Sequence, residues 1–127
     1  MMKQNQFMEL RIPAEADYAL IVRMALSGFG MLAGLEVDLI DDLRTAADEC
    51  LDCLMHQAFC LKEITVSAKL DGGRLLGKIC SLRTDTPTPN PYQDHEMTKC
   101  ILETLLPDVT LCCDETGVCC IDFSMPI

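Results

Sequence analysis

The stretch Val37 to His56 constrains the fold most. Ile40, Leu43, Ala47, Cys50 and Leu54 recur at steps of three and four, the spacing of one stripe of an α-helix, and a stripe so apolar must be buried. Asp38, Asp41 and Asp42 crowd its start, where the helix dipole and unpaired N–H groups favour carboxylates. Glu49 differs: it lies beside the stripe, on a flank shared with Ala46 and Cys53. Either it pairs with a cation such as Arg44, or it carries chemistry.

Around this helix the pattern alternates between periods of two and of three to four. Phe7 to Ile12 alternates as a strand closed by Pro13, and Ala14 to Ala33 has helical spacing with Gly34 as its stop. Glu63 to Leu70 reads as a half-exposed strand, turning at Asp71-Gly72-Gly73 into a second strand, Leu75 to Leu82. Thr84 to Pro91, with three prolines, reads as a loop. Met97 to Leu106 is helical, and Val109 to Cys113 and Val118 to Phe123 form a closing hairpin over Asp114 to Gly117. Tight turns between strands imply a mostly antiparallel sheet. The expected class is α+β: a two-layer α/β sandwich with three helices on one face, in one domain spanning residues 1–127.

A formal charge of −10 disfavours nucleic acid and anionic membrane as partners. The apolar runs are broken by Arg23, Gly28 and Gly30, and the N-terminus lacks a secretory apolar segment, so the expectation is a cytoplasmic protein without a membrane span. Nine cysteines are then expected to be free thiols, most of them small core residues. Cys112-Cys113 and Cys119-Cys120 face each other across the last hairpin; adjacent strand positions diverge, so they are not expected to converge on zinc. His56 and His95 are not spaced as a metal pair, and the eight methionines suit an adaptable core.

The central stretch Ile40-Asp-Asp-Leu-Arg-Thr-Ala-Ala-Asp-Glu49 resembles the bacterial anti-sigma-factor serine kinases of the GHKL (Bergerat-fold, histidine-kinase-like) ATPase superfamily. Ile12-Pro-Ala14, Val22-Arg23, Ala33-Gly34-Leu35 and Ile101 to Val109 extend the resemblance over nearly the whole chain. It implies a histidine-kinase-like ATPase fold and an ATP site built on a Glu-x-x-x-Asn step, with the Glu as general base and the Asn binding magnesium. One helical turn sets positions i and i+4 on one face, so both can address one phosphate and its metal.

In this chain the Glu is Glu49, but Cys53 stands where the Asn should be, and magnesium takes oxygen ligands rather than thiols. The adenine-binding Asp corresponds to Asp85, while Pro87 and Pro89 replace the glycines of that motif, removing backbone freedom and donors. The glycine-rich lid corresponds to Asp94-His-Glu-Met-Thr98, which has no glycine and carries two carboxylates. The resemblance with these departures implies a regulator that holds another protein, a sigma factor or its antagonist, as a homodimer, with Glu49 a vestigial base and no cofactor expected.

The alternative is an active ATP-dependent protein serine kinase with magnesium, in which Glu49 is base, Asp85 reads adenine, and water or Asp52 replaces the missing ligand. On the residues alone, an Asp ahead of a proline run such as Asp85 is more often a turn former than an adenine ligand. A cysteine-based metal or redox module is a third class.

Overall fold

The computed structural model describes residues 6–91 and 95–127. The chain runs β1 (Phe7–Pro13), a 3-10 turn (Ala16–Tyr18), α1 (Ala19–Ala33), α2 (Val37–Met55), β2 (Phe59–Asp71), β3 (Arg74–Pro87), α3 (Glu96–Leu105), β4 (Asp108–Asp114) and β5 (Gly117–Pro126). The five strands form one antiparallel sheet in the order β1-β2-β3-β5-β4. The three helices form the second layer, with α2 between α1 and α3.

The alternation along the strands decides which face the helices cover. Ile64, Val66, Ala68 and Leu70 of β2, Leu75 and Ile79 of β3, and Ile121, Phe123 and Met125 of β5 are all buried in one core. They meet Val22, Leu26 and Phe29 of α1 and the stripe of α2 there. All five stripe residues named from the sequence are buried, as are Ala46, Leu51 and Cys53. Each fully buried Leu or Ile contributes about 1.5–3 kcal/mol relative to exposure, so this stripe fixes α2 to the sheet. The opposite face carries Thr65, Ser67, Lys69, Lys78 and Asp122 and is left open by the helices.

The turn at Gly72-Gly73 has positive φ at both residues, 58° and 77°, as the primed hairpin turns require. A third glycine serves close packing. Gly77 lies opposite Phe123, and a Cβ at Gly77 would come within 2.1 Å of the tip of that ring. The ring thus covers the glycine and fills the space a side chain would take. Gly77→Ala is expected to lower stability by about 1–3 kcal/mol, as overpacked cores do. A urea midpoint that falls at unchanged slope would register this, and Phe123→Leu in the same chain should recover part of the loss. An unchanged midpoint would mean that the ring moves aside freely.

Four expectations need correction. The first helix begins at Ala19, because Ala16–Tyr18 forms a 3-10 turn. β2 begins at Phe59 rather than Glu63; register shifts between Phe59 and Glu63 break the alternation that marks a strand. The proline-rich stretch is not a loop from Thr84, since β3 continues to Pro87, which pairs with Phe59. The ladder between β3 and β5 stops at Cys80, so Pro87 lies where β3 has no strand on its far side and its missing N–H interrupts nothing there. Finally, Ala16–Ala33 is long and apolar enough, by length and composition, to cross a membrane. In this fold it is a wall of the domain, docked through Val22, Leu26 and Phe29, with Arg23 bonded to Asp48 at 3.1 Å.

Candidate functional site

Glu49 and Cys53 sit one turn apart on α2, as the helical spacing requires, but their environments differ. Glu49 is half-buried, and its carboxyl is raised above the ordinary range, first by desolvation and then by the neighbouring Asp52 carboxylate. Among the described residues no cation lies within ion-pair distance of it. The pairing with Arg44 considered from the sequence is not formed, because Arg44 turns to Asp41 one turn earlier.

Cys53 is buried at 1% exposure. Burial pushes its thiol up to about 11, against a hydrogen bond with Thr98 that lowers it. It is therefore a neutral thiol at physiological pH, held inside the core between α2 and α3. The Thr98 that meets it belongs to the segment corresponding to the lid and is itself buried. His95 and Glu96 stand at the start of α3, while Asp94 lies outside the described residues. A protonated, buried thiol offers a hard divalent cation nothing. Asp52, the nearest oxygen donor on the helix, is exposed and faces His56, whose Nδ1 lies 3.4 Å from its carboxylate.

Asp85 lies on the exposed end of β3, and its side chain makes no hydrogen bond or ion pair with the described residues. Glu49 and Cys53 share one face of α2, while Asp85 belongs to β3. Glu49, Cys53 and Asp85 line neither of two surface cavities. One, of about 560 Å³, lies over the open face of the sheet between Phe7, Lys69, Lys78 and Asp122. The other, of about 640 Å³, lies between β1 and α1. Among the described residues no group of three or more His, Cys, Asp or Glu side chains is arranged to hold a metal ion.

Two polar anchors near this region carry no periodic signal in the sequence. Gln57, 2% exposed, donates from Nε2 to the Cys53 carbonyl at 2.7 Å and accepts the Val118 N–H at 2.9 Å through Oε1. It ties the end of α2 to β5. Arg83 ties β3 to the last hairpin, donating to Asp114 at 2.7 Å, to the Thr116 hydroxyl and to the Gly117 carbonyl.

The Arg83 hydrogen bond, with help from the Thr116 N–H and hydroxyl, holds the Asp114 carboxyl down to about 2. A depressed carboxylate stabilises the fold above its unfolded value near 3.8 and loses that contribution as pH falls through about 2. A carboxyl-detected NMR titration should find this low value, and Arg83→Gln should move it back up. The stability difference between the two chains should be full above roughly pH 4 and shrink on acidification. A difference constant down to pH 2 would assign the Arg83 effect to packing alone.

The class defined by these elements is an α+β two-layer sandwich whose central helix presents a half-buried glutamate, unpaired among the described residues, beside a buried thiol. No protein-family model matches the chain. It is similar, at 34% identity over 59 residues, to the serine-protein kinase RsbW of Staphylococcus aureus, in strains Newman, JH9 and USA300 alike. The match takes in 46% of this chain and 37% of each of those kinases, so it spans well under half of the curated relatives.

Proposed function

We propose that this chain is a regulatory protein of the anti-sigma-factor type with the GHKL fold, acting in the cytoplasm by binding another protein, and that its ATP site no longer works. The observation that carries this reading is Cys53: at the position of the magnesium-binding Asn stands a buried, protonated thiol bonded to the segment that should be the lid. Pro87 in the β3 ladder and the lid without glycine support it. A binding role is supported by the outer face of α1. Leu20, Met24, Met31 and Leu32 are each more than half exposed there, with Phe7 exposed nearby. So many large apolar side chains on one helix mark a surface for a protein partner, a sigma factor or its antagonist by similarity, or a second copy of this chain.

Removing one charge-assisted hydrogen bond from a nucleotide site costs about 1.5–3 kcal/mol, so removing two weakens binding about a hundredfold or more. Calorimetric titration with ATP and magnesium at micromolar protein should give no binding heat, and ATP should not raise the melting temperature. Binding of a sigma factor, measured with purified components, should need no nucleotide. A micromolar dissociation constant for ATP would overturn the reading. If Cys53→Asn alone creates binding, the metal ligand was the whole defect.

One observation favours the rival, an active serine kinase: Glu49 is half-buried with a raised carboxyl, as suits a general base. Phosphoryl transfer from ATP to a serine of a partner protein, abolished by Glu49→Gln, would establish it.

A further inference from the structure

Against the expectation of free thiols throughout, Cys80 of β3 and Cys120 of β5 are joined by a disulfide across the sheet. They are register partners in the β3–β5 ladder. Cys120 has a second register partner on its other side, Cys112 of β4. Their neighbours Ile79, Leu111 and Ile121 point towards the helices, so Cys80, Cys120 and Cys112 stand in one row on the open face. Cys112 and Cys113 point to opposite faces, and the register shift between them leaves Cys119 without a partner opposite. The Cys119 thiol donates to the Cys112 carbonyl at 3.3 Å, while the Cys113 thiol is close enough to Cys53, on the helix side, to influence its titration.

We propose that this row is a thiol–disulfide exchange site in which Cys120 passes its bond between Cys80 and Cys112. Directly opposed residues of an antiparallel pair lie roughly 4.5–5.5 Å apart at Cα, within the span a disulfide bridges, so the register places Cys112 within reach of Cys120. The step balances within the chain. The Cys112 thiol loses its proton, its thiolate attacks the Cys120 sulfur, the Cys80–Cys120 bond breaks as the Cys112–Cys120 bond forms, and the Cys80 thiolate takes a proton from water. No electrons enter or leave. The result moves a covalent staple from the β3–β5 ladder in the middle of the sheet to the edge hairpin.

The groups facing Cys112 set the rate. Asp122 of β5 accepts its S–H at 3.7 Å; desolvation first, then Asp122 and Cys119, favour the protonated form, and Lys78 of β3 opposes them. The thiol is partly exposed and mostly protonated at neutral pH, so exchange should speed up about tenfold for each pH unit while that holds.

The experiment takes the whole chain at pH 7 to 9, quenches with acid, alkylates free thiols and cleaves with trypsin and a Glu-specific protease. Cutting after Glu115 separates Cys112 from Cys120. Fragmentation should find Cys80–Cys120 together with Cys112–Cys120, the second appearing faster at higher pH and vanishing in Cys112→Ser. In Cys80→Ser, treatment with oxidised dithiothreitol should link Cys112 to Cys120. Two results overturn the proposal: Cys112 and Cys120 both remaining alkylatable in oxidised Cys80→Ser, or Cys119 rather than Cys112 capturing the bond. Refolding failure of Cys80→Ser would leave the wild-type time course to decide, where absence of any Cys112–Cys120 link at pH 9 counts against it.

Discussion

Leu43→Ala is expected to cost about 2–5 kcal/mol, enough to leave a chain of this size close to unfolding. Leu43 has no solvent exposure and sits mid-stripe on α2, the helix that touches both other helices and the sheet. Truncation removes three carbons from a site whose neighbours, Gly30 among them, are already close: a Cβ on Gly30 would stand 3.6 Å from the Leu43 side chain. Helices so confined cannot collapse into the space, and the cavity term adds to the lost transfer energy. Urea denaturation followed by circular dichroism would measure it as a lower midpoint at constant slope. A loss below half a kcal/mol would remove α2 from the centre of the core.

That helix is legible in the sequence because its information is local. Residues three and four apart report their common face, and five of the eight buried positions of α2 follow from spacing alone. The hairpin of β2 and β3 is legible for the same reason, through its alternation and its Gly72-Gly73 turn. Where local pattern stops, so does the reading. The start of β2 is irregular, and the prolines after Thr84 carry no sign that β5 leaves that end of β3 uncovered. The Cys80–Cys120 bond joins residues 40 apart, and only the strand order β3-β5-β4 makes Cys120 the middle of a row.

The candidate site divides in the same way. That Glu49 and Cys53 share a face follows from the helical period, and the structure keeps them there. The burial of Cys53 under Thr98 depends on where α3 packs, which no spacing within α2 encodes. Arg83 finding Asp114 likewise needs the last hairpin to fold beside the far end of β3.

Gln57 is the least legible anchor and yields the second large effect. It follows the last turn of α2, where a polar residue reads as solvent-facing, yet it is 2% exposed. Gln57→Leu keeps most of the volume and removes the acceptor of the Val118 N–H, which is then buried without its partner; that alone should cost about 1–3 kcal/mol. The Cys53 carbonyl suffers less, because the His56 N–H also reaches it at 3.2 Å. Gln57→Ala should cost more, adding a cavity beside β5. Amide exchange at Val118 should quicken in both variants beyond the global loss, since its hydrogen bond is the one removed. The opposite side of the contact gives an independent check. Gly117 has φ of 117° and a Cβ there would stand 2.2 Å from Gln57 Oε1, so Gly117→Ala should destabilise through both strain and overlap. In the Gln57→Ala background the overlap is gone and only the strain remains, so the two losses together should fall short of their sum. Strict additivity would mean that Gln57 and Gly117 do not meet, and that the end of α2 is held to β5 by packing alone.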